Sequence, residues 1–236
     1  MTQAVAMAEV PEEVRARLAL ALDVDDMVVA LRLARQVGPW FGVAKVGLEL
    51  FTAAGPDAVS ALIESGFDVF VDLKLHDIPT TVERSAKVLG ALGVTYVTLH
   101  AHGGSVMLRA GVDGLAHGAQ AAGVPAPTAL AVTILTSDPD APPHILGKRV
   151  KAALEGGCGG IVCAAADISE ARQLAPRLHI VVPGIRPEGT THDDQARRAT
   201  PAEAVQMGAD VLVIGRPVTH ADDPAKAAAA IAASLG

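Results

Sequence analysis

The sequence is poor in aromatic residues, cysteine and basic clusters, and each shortage argues against a class of protein. Aromatic residues make up 3% of the chain, too few for the stacking platforms that bind single-stranded nucleic acid. The formal net charge is -7 and no basic run occurs, so no nucleic-acid partner is expected. The two cysteines, Cys158 and Cys163, predict buried thiols in a reducing compartment, not a disulfide framework.

Long apolar runs and targeting signals are lacking too. No stretch approaches the roughly 18 uninterrupted apolar residues of a membrane span, so no membrane partner is expected. The apolar N-terminus has no basic region and contains Glu9, which argues against a signal peptide. We expect a cytoplasmic protein with a loose leader over residues 1–12 and one catalytic domain over 13–236.

Hydrophobic residues form 50% of the chain and occur as short β-branched runs, each followed by a longer segment rich in Ala, Leu and charge. This alternation predicts strand–helix repeats. Their spacing, roughly 20 to 35 residues, suits a (β/α)8 barrel. Eight strands are predicted, at 18–23, 43–47, 68–74, 94–100, 128–135, 160–163, 180–183 and 211–215.

The predicted fold class is therefore α/β, a single-domain (β/α)8 TIM barrel. A doubly wound open sheet uses the same alternation and is the competing fold. Against it, the turn after the first strand, at 23–26, has no glycine-rich phosphate fingerprint. Eight strands also suit closure better than an open sheet of five or six.

Polar side chains interrupt the predicted strands near their carboxyl ends. In a barrel these ends meet on one face, where the catalytic groups of this fold lie. A shared position on that face indicates an active site more strongly than any one residue does. The residues concerned include Asp23, Lys45, Asp72, Lys74, His100, Thr136, Arg186 and Arg216.

The third strand carries the clearest signal. Side chains alternate along a strand, so Phe70, Asp72 and Lys74 are predicted to point into the barrel. Opposite charges there are costly to bury unless they are paired. With Lys45 on the neighbouring strand and Asp77 just beyond, an alternating Lys–Asp–Lys–Asp array is available. A purely structural ion pair is the alternative, but it rarely needs four charges, which favours a functional site.

A second constellation follows predicted strands seven and eight. It consists of Gly-Ile-Arg-Pro at 184–187 and Gly-Arg-Pro at 215–217. Barrels commonly bind phosphate there through backbone N–H groups, and each arginine adds a planar fork suited to phosphate oxygens. The glycine and proline of either motif alone could simply be loop residues, but the two motifs together predict a phosphorylated ligand.

Histidines are less informative. His100 and His102 stand two apart and could be proposed as metal ligands, but no third ligand accompanies them convincingly. Polar lining or hydrogen bonding is the favoured interpretation for both. His76 is expected to orient its neighbours.

The segment Asp-Leu-Lys-Leu-His-Asp-Ile-Pro at 72–79 resembles the signature of bacterial orotidine 5'-phosphate decarboxylases. Thr80 and Thr98 stand where bacterial members often have asparagine, and neither is expected to be a core catalytic position. The resemblance extends, in order and spacing, over 22–23, 45–47, 132–137, 183–187, 193–195 and 214–217.

This resemblance implies a homodimeric barrel, free of cofactor and metal, that converts orotidine 5'-monophosphate to uridine 5'-monophosphate in de novo pyrimidine biosynthesis. Lys45, Asp72 and Lys74 of one subunit and Asp77 of the other would be catalytic, with Lys74 protonating a C6 vinyl carbanion. The implied substrate-binding residues are Asp23 at the ribose, Thr136 near the pyrimidine, Ile78 and Thr81 from the neighbouring subunit, Pro183, and, at the phosphate, Arg186, Gln195, Gly215 and Arg216.

Three other functions stay open at this point. Hexulose-phosphate synthases and keto-gulonate-phosphate decarboxylases resemble the Asp-x-Lys-x-x-Asp core but bind Mg²⁺ with a carboxylate cluster, and no additional acidic ligand is obvious here. A Schiff-base aldolase could use Lys74, although flanking aspartates raise a lysine pKa rather than lower it. A barrel that only binds a phosphometabolite is the non-enzymatic alternative.

Overall fold

The computed structural model describes residues 10–136, 138, 141–142, 144–187 and 199–235. Within them, eight parallel strands pair in sequence order and the last strand pairs with the first, which closes the barrel. The strands are β1 Leu18–Leu22, β2 Val43–Gly47, β3 Asp68–Leu75, β4 Tyr96–His100, β5 Thr128–Val132, β6 Gly160–Val162, β7 His179–Pro183 and β8 Val211–Ile214.

All eight predicted strands are confirmed, and the open sheet is excluded by the pairing of β1 with β8. Some ends differ. The fourth strand begins at Tyr96 rather than 94, and the fifth ends at Val132 rather than 135. At the fifth strand the pairing with β6 stops at Val162, so the residues beyond Val132 have no neighbouring strand to extend along.

Helices surround the barrel. Asp26 begins the second helix, its carboxylate accepting from the N–H groups of Val28 and Val29, and Asp223 begins the last one by accepting from Lys226. The helices are α1 Glu12–Arg17, α2 Met27–Val37, α3 Leu48–Ala54, α4 Pro56–Glu64, α5 Pro79–Gly90, α6 Gly104–Ala122, α7 Ile145–Gly156, α8 Ile168–Leu174, α9 Pro201–Met207, α10 Arg216–Thr219 and α11 Pro224–Ala233.

The core has two layers because strand side chains alternate. The outer layer lies between strands and helices and includes Val69 and Val71. The inner layer fills the barrel with small aliphatic residues around Phe70, whose ring meets Tyr96 edge to face at 5.9 Å. The Phe70–Tyr96 pair is thus the bulkiest contact of an inner layer that otherwise consists of small aliphatic residues.

Helices α5 and α6 pack in very close contact. A Cβ atom at Gly114 would collide with the Glu83 carbonyl group, and one at Gly118 with that of Lys87. Only glycine lets the two backbones approach this closely. Because α5 begins directly after Asp77 and Ile78, its close packing against α6 fixes the end of the loop that carries these two residues.

An ion pair joins the amino ends of β7 and β8. Arg172 of α8 contacts the Asp210 carboxylate at 2.6 Å, and its guanidinium also donates to the carbonyl groups of Leu178 and Gly208. The same carboxylate oxygen accepts from the Ile180 N–H at 2.8 Å. Backbone groups therefore meet the remaining hydrogen-bonding needs of this pair.

Helix α1 begins at Glu12, and Val10 packs against the core. Residues 1–9 of the predicted leader lie outside the described residues. Of the helices described, none is both long enough and apolar enough to cross a membrane. The division at residue 12 and the cytoplasmic location stay predictions.

Candidate active site

A cavity of about 380 Å³ opens at the carboxyl ends of the strands, within the size range of small-molecule sites. Its floor is apolar, formed by inward-facing residues of five strands. Polar and charged groups from the strand ends stand above this floor. The floor residues are Ala21, Phe70, Val132, Val162 and Val213.

Four charged side chains alternate in sign along one wall. Asp23 Oδ1 lies 3.0 Å from Lys45 Nζ, which lies 3.8 Å from Asp72 Oδ2. Lys74 Nζ donates to both Asp72 oxygens at 3.0 Å. The side chains of Lys45 and Asp72 are 9% and 15% exposed, against 32% for Lys74. Each buried charge therefore has a partner, and the Lys74 side chain is more exposed than those of Lys45 and Asp72.

Regular alternation does not explain the position of Lys74. The register between β3 and β4 passes from Val71 opposite Val97 to Leu75 opposite Leu99, so β3 has two extra residues here. Lys74 has φ of +51°, the only positive value at a non-glycine residue in the described ranges. Such backbone costs about 1–2 kcal/mol. Lys74 does share the cavity with Phe70 and Asp72 as predicted, but through an irregularity that alternation could not foresee.

Thr98 of β4, which the sequence does not predict as a core catalytic position, contacts two members of the charged array. It is fully buried, and its hydroxyl donates to Asp72 Oδ1 at 2.9 Å and accepts from the Lys74 N–H at 2.9 Å. The available signal was a hydroxyl residue inside an apolar strand. Other cavity residues not singled out from the sequence are Gly47, Leu48, Glu49, Ile134 and Leu135.

The opposite wall carries the second predicted constellation. Pro183, Arg186, Gly215 and Arg216 all line the cavity, as does Thr136. Arg186 is 8% exposed, with a guanidinium N–H donated to the Ile185 carbonyl group at 3.1 Å. The structure thus brings these residues to the same cavity as the charged array. Gln195 lies outside the described residues.

Asp77, Ile78 and Thr81 are not among the cavity-lining residues of their own chain. All three are exposed, Ile78 by 66%. The Asp77 carboxylate accepts from the Ile78 N–H at 2.6 Å. Within one chain the fourth charge of the array is therefore Asp23, not Asp77, because the chain turns away from the cavity after the third strand.

Three histidines cluster beside the cavity. The His76 and His100 rings lie 5.3 Å apart, and His100 Nδ1 accepts from the His102 N–H at 3.2 Å. Burial, followed by the charges of His76 and Arg149, lowers the pKa of His100 to about 4. Within the described ranges, no group of three or more His, Cys, Asp or Glu residues is placed to hold a metal ion.

The two cysteines contribute no reactive group to the cavity. Cys158 and Cys163 are both buried, and burial raises each thiol pKa to about 12. They stay protonated at neutral pH and serve as packing.

A closed (β/α)8 barrel with a paired-charge cavity at the carboxyl ends of its strands belongs to the class of barrel enzymes. Comparison with known proteins narrows this class. The chain belongs to the orotidine 5'-phosphate decarboxylase / HUMPS family, whose model matches residues 16–231.

Similar proteins cover nearly the whole chain. An orotidine 5'-phosphate decarboxylase of Anaeromyxobacter sp. (strain K) is 47% identical over 93% of this chain and 98% of its own length. The orotidine 5'-phosphate decarboxylase of Moorella thermoacetica (strain ATCC 39073 / JCM 9320) is 44% identical over 93% of this chain and 92% of its own length. The crystal structure of orotidine 5'-phosphate decarboxylase from Lactobacillus acidophilus matches with a TM-score of 0.80 and 34% identity, covering 94% of this chain and 99% of that one.

Proposed function

We propose that this protein decarboxylates orotidine 5'-monophosphate to uridine 5'-monophosphate, a reaction of pyrimidine biosynthesis. The observation that carries the proposal is the Lys74 ammonium, held 3.0 Å from both Asp72 oxygens in the cavity. The family also includes HUMPS members. The relatives at 44–47% identity, however, are named orotidine 5'-phosphate decarboxylases, which supports this nucleotide substrate over the sugar-phosphate alternatives.

The reaction needs a group that stabilises negative charge at C6 of the pyrimidine. The bond between C6 and the carboxylate breaks, carbon dioxide leaves, and the electron pair stays on C6. Lys74 Nζ is suited to stabilise this carbanion and to donate a proton to it. The neutral lysine then regains a proton from water, so one proton is consumed for each carbon dioxide released.

The neighbouring charges keep Lys74 ready for this step. Asp72 binds the ammonium through both oxygens and holds it in the cavity. In the substrate complex the Asp72 carboxylate would also stand close to the departing carboxylate and disfavour it. The Lys45 ammonium, on the buried side of Asp72, offsets part of the negative charge of that carboxylate. The rest of the charge is available to act on the substrate carboxylate.

Substrate binding is assigned to the two walls of the cavity. Asp23, exposed by 58% at the end of the charged array, would accept hydrogen bonds from the ribose, and Thr136 would lie near the pyrimidine. Binding energy from the phosphate, remote from the reacting carbon, can be used to organise the reacting end. The proposed phosphate-binding residues are Arg186, Gln195, Gly215 and Arg216, and Pro183 is a further proposed substrate-binding residue.

One assay tests the function. Purified protein is incubated with orotidine 5'-monophosphate and excess EDTA while the ultraviolet absorbance is followed. We expect rapid loss of substrate in EDTA, because the proposed chemistry depends on Lys74 rather than on a metal ion. No turnover of orotidine 5'-monophosphate would reject the proposal, and Mg²⁺-dependent turnover of a hexulose phosphate or keto-gulonate phosphate instead would favour the sugar-phosphate enzymes of the family.

A homodimer in which Asp77, Ile78 and Thr81 serve the neighbouring subunit's site is part of the same proposal. Support comes from their exposure and from their absence among the cavity residues of their own chain. An exposed isoleucine at 66% next to a catalytic strand suits contact with a second subunit. A site shared in this way would make dimerisation a condition of activity.

Mixed dimers test this sharing. Lys74→Ala and Asp77→Ala homodimers should both be inactive. After refolding in an equal mixture, half of the dimers are mixed, and each mixed dimer has one site with Lys74 from one chain and Asp77 from the other. About a quarter of wild-type activity should therefore return. No recovery, with mixed dimers verified by mass, would place Asp77 in its own chain's site or outside catalysis.

A further inference from the structure

Lys74 occupies backbone that a lysine rarely adopts, at the one point where strands β3 and β4 lose their register. Asp72, Leu73 and Lys74 together stand opposite the single residue Thr98, between the pairs Val71–Val97 and Leu75–Leu99. A bulge of this kind interrupts the hydrogen-bond ladder and leaves backbone groups to be satisfied in another way. The positive φ of Lys74 persists only if neighbouring groups hold it.

The Thr98 hydroxyl supplies contacts across the bulge. Its oxygen accepts from the Lys74 N–H at 2.9 Å and its proton is donated to Asp72 Oδ1 at 2.9 Å. A hydroxyl can do both at once, since it has one donor and two acceptor positions. Lys74 Nζ in turn donates to both Asp72 oxygens. Thr98 therefore touches the backbone of the lysine and the carboxylate that binds its ammonium.

We propose that Thr98 is a positioning residue for the decarboxylation, an inference that rests on the proposed function. Its hydroxyl holds the Lys74 backbone in the left-handed conformation and sets the orientation of the Asp72 carboxylate. Together these contacts place the Lys74 ammonium at the reacting carbon. Thr98 does not line the cavity, so it acts through the other two residues and does not contact the substrate.

A second buried threonine shows what a purely structural hydroxyl looks like in this barrel. Thr133, also fully buried, donates its hydroxyl to the Val162 carbonyl group at 2.9 Å. Its own backbone N–H donates to the same carbonyl at 3.0 Å. That hydroxyl reinforces an existing backbone contact, whereas the hydroxyl of Thr98 connects two members of the charged array. Thr133 is therefore a matched control.

The test compares Thr98→Val, Thr98→Ser and Thr133→Val in steady-state decarboxylation and in binding of uridine 5'-monophosphate. Valine keeps the shape of threonine and removes the hydroxyl. We expect Thr98→Val to lower kcat by about 10- to 100-fold with KM and product affinity changed less than about threefold. Serine should restore kcat to within about threefold, and Thr133→Val should lower the melting temperature while kcat stays within about twofold.

Several outcomes would overturn the inference. One is a Thr98→Val enzyme with wild-type kcat. Another is an equal fall of kcat in Thr98→Val and Thr133→Val, or failure of serine to rescue. Should the valine variant not fold, Thr98→Cys offers a weaker hydrogen-bonding group, and full activity in that variant would also refute the role.

The wild-type control separates the two hypotheses. No wild-type turnover would reject the proposed function and this inference with it. An active wild-type enzyme with an unimpaired Thr98→Val variant would reject the positioning role alone.

Discussion

In the described part of the chain an ion network lies at each end of the barrel, and these two networks differ in the groups that complete their hydrogen bonding. At the amino ends, the Arg172–Asp210 pair is completed by backbone groups of β7, β8 and the segments before them. At the carboxyl ends, Asp23, Lys45, Asp72 and Lys74 chiefly contact one another beside an open cavity. A network completed by backbone stabilises the fold, whereas one that ends at a cavity has hydrogen-bonding capacity left for a ligand.

Removal of Lys74 should give the largest effect at the carboxyl end. Lys74→Ala takes away the proposed proton donor, so kcat should fall at least about 1,000-fold. The protein should stay folded and still bind uridine 5'-monophosphate, because Asp72 keeps Lys45 and Thr98 as neighbours. Stopped-assay turnover, calorimetric melting and product titration measure the three quantities. Near wild-type kcat would remove Lys74 from the mechanism.

The contrast between the two ends also explains how far sequence reasoning reaches. The strand–helix alternation predicts all eight strands and the face on which charged residues collect, because both depend on local periodicity and on barrel topology. The same reasoning predicts Lys45, Asp72 and Lys74 as site residues. Neither the left-handed backbone of Lys74 nor the two contacts of Thr98 is visible in the sequence, since they arise from the register between two strands.

The Arg172–Asp210 pair at the amino ends is another contact that the sequence does not predict. Arg172 and Asp210 are 38 residues apart, and no motif connects them. Their contact depends on where α8 returns to the barrel and on the free backbone groups that it meets there. A sequence pattern can reveal functional residues when they cluster along one strand, as Asp72 and Lys74 do. It cannot reveal a contact such as that of Asp210, where residues of separate elements meet at one carboxylate.

Breaking the amino-end pair should give the opposite result from Lys74→Ala. Arg172→Met leaves the Asp210 carboxylate with one fewer partner and removes donors from the carbonyl groups of Leu178 and Gly208. The pair is partly exposed, at 28% and 35%, so we expect a loss of about 2 kcal/mol in unfolding free energy, or about 5 °C in melting temperature. Urea unfolding measures the loss, and kcat/KM should stay within twofold.

An equally short but more exposed pair gives the control for Arg172. Arg15 and Glu12 of the α1 region also lie 2.6 Å apart, with Glu12 76% exposed. Glu12→Gln should cost less than about 0.5 kcal/mol. If both variants lose the same stability, the backbone contacts of Arg172 add nothing. A large fall in kcat/KM for Arg172→Met would mean that the two ends are coupled.

His100, at the carboxyl end but outside the cavity lining, should contribute less to stability than the Arg172–Asp210 pair. Its pKa falls from 6.5 to about 4 on folding, chiefly through burial, with His76 and Arg149 adding to it. The unfolded chain therefore binds the proton more readily than the folded protein between these values. The stability contribution of neutral His100 is complete above pH 6.5 and is lost as the pH falls towards 4. Since the ring is only half buried, about 1–2 kcal/mol is expected after allowance for solvent screening.

His100→Asn tests this assignment, because the amide oxygen can still accept from the His102 N–H. Urea unfolding at pH 7.5, 6.0 and 5.0 should show a shallower loss of stability in the variant than in the wild type. His220→Asn, at an exposed position, should leave the pH dependence unchanged. Equal slopes for wild type and His100→Asn would assign the acid sensitivity to other groups.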